Sequence, residues 1–415
     1  MGREIATLQF GKEANYLSTH FWNTQNKPSF TPRSLIFDLK ENVGSVISNQ
    51  SNTEINSHED VLSPEENCSD NFLLIKKTPN PRNSFFYDPK NNPLSYQDVH
   101  FWSDFNLLNY HPDSLHPVSG LETGSSLGLL DSFNNGLSIF DSYQKSESVL
   151  DNEFRAILEK SDDLQGIQLM SDSYGGFAGL SSAFIEYLSS ELEKKSILLF
   201  SVSKTDSKSW ENSQMCDAAL SLIYTLDFQT PVIHLNAPNL NSWLSSPYLK
   251  DTNPMHRFNT SAVQSIVLDT ITFPILSGDS DLSSFINYSS FGGQYNLLSP
   301  RLQLGNSFEL PFENSIMFNG FLDKEALLNQ SLDFSPIKYS YPLSFPIEFD
   351  SGSCYLGEKS DIDLSCDISS YRQSTSFLIE LNSSITKSIP FKNLHGDDQV
   401  EAWSEQILNE SEKYN

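Results

Sequence analysis

At 415 residues, with 38% hydrophobic and 12% aromatic side chains, the chain can bury a large core and build two or three subdomains. Its formal net charge of −27 argues against direct binding to DNA or RNA, which needs a basic footprint, and against docking by charge on an anionic membrane leaflet. The four cysteines, Cys68, Cys216, Cys354 and Cys366, are scattered and form no paired motif, so they read as free thiols of a reducing compartment. The opening Met1-Gly2-Arg3-Glu4 has no secretory character. Glu4 and Glu13 oppose an Arg-rich presequence, Ala6 breaks the myristoylation pattern, and no apolar run reaches the roughly 18 residues of a membrane span.

Arg3 to Gly11 reads as a strand ending at glycine, and Ala14, Leu17, Ser18, Phe21 and Trp22 follow at helical spacing. Thr31 to Lys40 is a second buried strand, with Asp38 near its C-terminal end. From about 41 to 94 the pattern dissolves into Asn, Ser, Glu and Pro, the composition of a long and partly disordered surface insertion. Tyr96 to Leu115 is rich in aromatics, and Trp102 and Phe105 read as packed core. His111 and His116 are five residues apart, a spacing that suits no common zinc motif. Ser132 to Val149 is polar and glycine-punctuated. Asp151 to Lys160 then reads as a helix with Phe154, Ile157 and Leu158 on one side.

Leu164 to Val202 organises the chain. Ile167 and Leu169 alternate as in a strand, and a turn follows with Gly175, Gly176 and Gly179. Leu180, Phe184, Tyr187, Leu188 and Leu192 then mark one face of a helix, with Lys194 and Lys195 expected in its last turn. Ser196 to Val202 is an apolar run of strand length. Such a strand, glycine turn, helix and strand is the unit on which α/β domains hold phosphate at a helix N-terminus. Further on, Val232 to Asn236 reads as a core strand, Arg257 to Thr272 as a long helix, and Phe291 to about Pro346 as short apolar runs broken by Pro and Gly. Asp397 to Glu412 reads as a closing helix carrying Val400, Trp403 and Ile407.

Several of these segments, in the same order, resemble tubulin. Arg3, Glu4, Ile5, Gln9, Gly11, Asn15, Phe21 and Trp22 are similar to its opening, with Lys12-Glu13-Ala14 replacing the loop residues there. Asp38 keeps one of two acids that position magnesium in that family, and Lys40 replaces the other. The Gly175-Gly176-Phe177-Ala178-Gly179-Leu180-Ser181 turn resembles tubulin's phosphate loop with bulk inserted at Phe177 and Leu180 and a hydroxyl lost at Ala178. Asn134-Asn135-Gly136 is the nearest remnant of a second phosphate-wrapping loop. Asp217 stands where that family contacts the base. Asn259 matches a second base contact, or only caps its helix. Asp279 and Asp281 fall on the loop that completes hydrolysis in a neighbouring subunit, and Ser284 replaces its hydrolytic Glu.

Phe101-Trp102-Ser103-Asp104-Phe105 with His111-Pro112 and Ser114 departs from tubulin and resembles the Misato family with its fungal Dml relatives. The resemblance implies an α/β tubulin-like fold. A parallel, Rossmann-type nucleotide-binding-like domain would span 1–255 with its insertion at about 41–94, a central connecting helix 256–272, and a smaller α/β domain with a short C-terminal helix 273–415. It implies a non-enzymatic factor in partitioning mitochondria and inheriting mitochondrial DNA, cytoplasmic and peripherally associated with mitochondria. Its partners would be proteins: tubulin, cytosolic chaperonin or mitochondrial surface factors. An assembly partner of tubulin and its chaperonin, or a polymerising GTPase, are the alternatives. No cofactor or metal is expected, with residual GTP binding left open at a vestigial pocket of Gly11, Asn15, Asp38, Gly175, Gly176, Gly179, Asp217 and Asn259.

Overall fold

The computed structural model describes residues 4–25, 31–44, 96–108, 110–111, 114–118, 130–146, 148–192, 194–205, 207–237, 243, 253–276, 278, 280–290, 292–293, 296–304, 315–317, 339–343, 362–369 and 372–414. Most of the expected insertion at 41–94, Asp279, Cys68 and Cys354 lie outside the described residues.

The first strand, β1 (Glu4–Phe10), leads through Gly11 into α1 (Lys12–Thr24) and back to β2 (Ser34–Leu39) and β3 (Leu115–Val118). Then come α2 (Phe133–Ser146), a π-helical turn at Ser148–Phe154, and α3 (Arg155–Glu159). The central unit is β4 (Leu164–Asp172), α4 (Gly176–Glu191) and β5 (Ser196–Val202), followed by α5 (Asn212–Asp227) and β6 (Val232–Leu235). The long helix α6 (Arg257–Leu276) and the short α7 (Leu282–Ser289) precede β7 (Leu297–Leu304), β8 (Ser315–Met317), β9 (Tyr339–Leu343) and β10 (Ile362–Ser369). Three helices close the chain: α8 (Arg372–Lys387), α9 (Ile389–His395) and α10 (Asp397–Glu412).

All strands described join one sheet in the order β3-β2-β1-β4-β5-β6-β7-β10-β9, with β8 beside β7. The seven from β3 to β7 are parallel, and the pairings of β7, β8, β9 and β10 with one another are antiparallel. The sheet passes across the central helix through the β6–β7 pairing, so the strand after α6 continues the sheet laid down before it.

Parallel strands are covered on both faces and need apolar side chains on both. Leu8 pairs with Leu169 and Gln9 with Met170, which sets one face for each pair. On the first face Phe10 stacks on Phe37 at 4.9 Å and meets Phe184 of α4 at 5.2 Å. Phe140 of α2 joins Phe184 at 4.9 Å. On the other face α1 packs beneath α6, where the His20 ring lies 4.9 Å from Phe258. Almost every residue of α6 is buried, polar Asn259, Gln264 and Asp269 among them, so the helix is enclosed on all sides rather than amphipathic.

Three local expectations are corrected. Ser132 to Val149, where a remnant of a phosphate-wrapping loop was expected, is mostly helix α2. Its buried Phe133, Gly136, Phe140 and Tyr143 recur every three or four residues, and that face outweighs the poor helix propensity of Asn134 and Asn135. Helix α4 ends at Glu191, so Lys194 and Lys195 lie in the connecting turn rather than the last helical turn. Helix α6 runs to Leu276 rather than stopping at Thr272. Pro274 removes one backbone donor there, while buried Ile271 and Ile275 hold the last turn in place. The closing helix has the expected bounds, but α8 and α9 precede it, and Ser388 caps α9 by accepting from the Phe391 amide.

Candidate functional site

In an open parallel sheet, the crevice for a ligand lies at the carboxyl ends of the strands where the strand order reverses. Here that point is between β1 and β4, and it is lined by the turns after Phe10 and after Asp172. Gly11 sits at φ +96° and opens α1. A Cβ there would come within 2.4 Å of an Asp172 carboxylate oxygen. The other oxygen accepts from the Ala14 amide at 3.0 Å. A side chain from the end of β4 therefore fills the N-terminus of α1, where backbone amides and the helix dipole favour negative charge. Asp172 is half-buried, and desolvation, reinforced by Glu13, raises its pKa well above the ordinary carboxylate value.

The second glycine turn is used in a similar way. Gly175, at φ +79°, caps α4, and its amide donates to Asp217 Oδ2 at 3.2 Å. The other oxygen of Asp217 accepts from the Phe133 amide, the first of α2, at 3.3 Å. One carboxylate thus ties the beginnings of two helices together. Burial raises its pKa to about 6. The remaining glycines make the helix contact itself. A Cβ on Gly179 would lie 1.9 Å from the Phe133 carbonyl oxygen, one on Gly136 1.9 Å from the Gly176 oxygen, and one on Gly176 against Leu130. Phe177 and Leu180 are buried members of the apolar core beneath this crossing.

Asp38, at the end of β2, is fully buried with four donors in place. Asn15 Nδ2 at 2.9 Å and Trp102 Nε1 at 3.0 Å reach one oxygen; the Leu39 amide at 2.8 Å and Asn42 Nδ2 at 3.0 Å reach the other. A carboxylate offers about four lone-pair positions, so this set saturates it. Desolvation still raises its pKa. Trp102 is packed as expected, but its indole N–H as a partner of Asp38 was not foreseen. The Asp104 carboxylate beside it accepts from the amides of His100 and Phe101, which locks the aromatic segment over α1.

At the mouth, Glu13 is paired with Arg257 of α6 through contacts of 2.6 and 2.7 Å, and that guanidinium lies 5.5 Å from the centre of the Tyr16 ring. Lys12 is half-buried, and desolvation followed by the charge of Arg257 lowers its pKa. Asn259 lies inside α6 rather than ahead of it, and its Nδ2 donates to the Asn253 carbonyl, so it does not cap the helix. Its buried Oδ1 has no hydrogen-bond partner among the described residues. Asp281 is the N-cap of α7 and accepts from the Ser284 amide at 2.6 Å. His111 and His116 are separated, each with its own partner, Lys160 and Glu153.

Of the residues expected at the site, Gly11, Asn15, Asp38, Gly175, Gly176, Gly179 and Asp217 gather around the β1 and β4 ends, and Asn259 lies on α6. Asp172, Trp102 and the Glu13–Arg257 pair were missed. Asp172 carried a signal, an acid at the last position of a strand directly before a glycine turn. Among the described residues no group of three or more His, Cys, Asp or Glu could hold a metal ion, and no helix is long and apolar enough to cross a membrane.

Comparison with known proteins gives the same class. A tubulin-domain family model matches residues 91–276, so the fold is that of a tubulin-like protein. A second model, the Misato Segment II tubulin-like domain, matches residues 3–29. The chain is 25% identical to Protein DML1 of Gibberella zeae over 77% of its length and 71% of that protein. It is 28% identical to Protein DML1 of Coccidioides immitis over 66% of its length and 58% of that protein. It is 25% identical to Protein dml-1 of Neurospora crassa over 79% of its length and 67% of that protein. The chain is thus tubulin-like in fold and similar in sequence to the Misato and DML1 proteins.

Proposed function

We propose that this chain is a non-enzymatic tubulin-like factor that acts through protein partners in the partitioning of mitochondria and the inheritance of mitochondrial DNA. The observation that supports the non-enzymatic part is the replacement of an anionic ligand by the chain's own carboxylates. Asp172 takes the Ala14 amide, and Asp217 takes the amides of Gly175 and Phe133. A nucleotide phosphate brought to either turn would meet a carboxyl group already seated on those amides, and the Asp217 carboxylate, ionised above about pH 6, would also repel it. The residues therefore do not fit GTP and magnesium as they stand. Asp38 has no lone pair left for a metal, and Gly176 and Gly179 serve a helix crossing.

The mitochondrial part rests on the Misato-type resemblance of the Phe101 to Ser114 segment and on the similarity to the DML1 proteins. The partners would be tubulin, cytosolic chaperonin or factors at the mitochondrial surface, with the chain cytoplasmic and peripherally associated. Depletion followed by imaging of mitochondria and quantification of mitochondrial DNA tests this role, and normal distribution with normal DNA content rejects it. Co-purification from a native extract discriminates the partners. Abundant chaperonin subunits, with mitochondria undisturbed by depletion, would favour the assembly role instead.

A further inference from the structure

At the opposite end of the sheet, near the N-terminal ends of β2 and β4, lies a cavity of about 360 Å³. Its walls include Pro32, from the stretch that enters β2, and Ala156 and Ile157 of α3. The π-helical turn at Ser148–Phe154 precedes α3 and carries Glu153 into the lining. The charged groups around the cavity are not equivalent. The Arg33 guanidinium is committed to Glu4, to the Lys160 carbonyl and to Ser161. Glu153 is committed to His116 at 2.8 Å. Lys160 has no carboxylate partner among the described residues, and its ammonium lies 3.3 Å from His111 Nε2. A lysine has three donors, so at least two remain for a ligand.

A pocket with largely apolar walls and, among the described residues, one uncompensated cation at its rim suits a ligand with an apolar body and a single negative charge. The volume limits the body. At about 30 Å³ for each water-sized unit, the cavity holds roughly a dozen heavy atoms. We propose that this cavity is a binding site for a small monocarboxylate with an aliphatic or similar apolar body, its carboxylate held by Lys160 and its tail against Pro32, Ala156 and Ile157. A polyphosphate is poorly matched, because among the described residues a single free cation faces largely apolar walls there. The site is also separate from the strand ends where Asp172 and Asp217 lie.

Titration calorimetry of the full chain with octanoate tests the proposal, with octanol as the uncharged probe of the same length. Octanoate should bind saturably at one site, and octanol at least roughly tenfold more weakly, the worth of one charge-assisted hydrogen bond. Lys160→Met keeps the exposed side-chain stem and should weaken octanoate by about tenfold while leaving octanol unchanged, whereas Lys160→Arg should stay close to the parent. Ala156→Leu narrows the cavity and should weaken both probes. Thermal unfolding of each variant separates a lost site from a lost fold. Absence of saturable octanoate binding overturns the proposal. So does equal binding of octanoate and octanol, or octanoate affinity that is unmoved by both Lys160→Met and Ala156→Leu in folded protein.

Discussion

Replacing Gly179 by alanine separates two uses of the same glycine turn. If the turn served a bound phosphate, Gly179→Ala would alter ligand binding and leave the empty fold intact or slightly stabilised. Alanine is about 1 kcal/mol better than glycine in a helix interior. In the structure the added Cβ would lie 1.9 Å from the Phe133 carbonyl oxygen and 2.8 Å from its carbon. Both are backbone atoms at the start of α2 and cannot rotate away. Restoring an ordinary contact of about 3.4 Å means moving α2 off α4 by roughly 1.5 Å. That would loosen the Phe140–Phe184 contact and stretch the Asp217 bridge from Phe133 to Gly175. Overpacking of this kind typically costs about 1–3 kcal/mol, and the loosened contacts add to it. After the gain in helix propensity, a net loss of about 2 kcal/mol is expected, readable as a lower denaturation midpoint with an unchanged slope. Gly136→Ala, on the other side of the crossing, should behave alike, because its Cβ would lie 1.9 Å from the Gly176 oxygen. A Gly179→Ala protein as stable as the parent, or more stable, would refute the helix-crossing account.

Arg257→Met should cost about 2–4 kcal/mol by leaving the partly buried Glu13 unpaired, and Glu13→Gln in the same chain should recover part of it in a double-mutant cycle. Asp217 and Asp269 each titrate at about 6 against an ordinary 3.8, because desolvation disfavours their charged forms. The folded chain therefore binds more protons than the unfolded chain between those values, and stability should fall as pH rises from about 4 to about 6. The change is on the order of 2–3 kcal/mol for each group. Asp217→Asn should flatten that slope in denaturation measured across the window, and an equally steep slope would contradict the assignment. Asp281→Ala should lower stability by about 1 kcal/mol through the lost cap of α7, measured by denaturation, and GTP turnover should be absent from parent and variant alike.

The parts of this fold that were legible in the sequence are those whose burial is written locally. Ser196–Val202 is a run of apolar residues between two parallel neighbours, and its ends coincide with the expected ones. Glu4–Phe10 and Leu164–Asp172 were equally plain as strands, and the glycines after them as turns. What those glycines do was not legible, because it depends on α2, whose Asn134-Asn135-Gly136 start masks a helix. The spacing of Phe133, Gly136, Phe140 and Tyr143 was the signal that would have found it. Asp172 on Ala14, and Glu13 on Arg257, join residues 158 and 244 positions apart. No local pattern carries such contacts, and they emerge only when the strand order brings β1 beside β4 and α1 beneath α6.

The central claim is that the chain's own carboxylates occupy the anion positions at its switch point. Chromatography of whatever nucleotide is released when freshly purified, full-length protein is denatured tests this most directly. The account predicts no guanine nucleotide above trace. Stoichiometric GTP or GDP would contradict it, since Asp172 and Asp217 would then have to leave the amides of Ala14, Gly175 and Phe133 to make room.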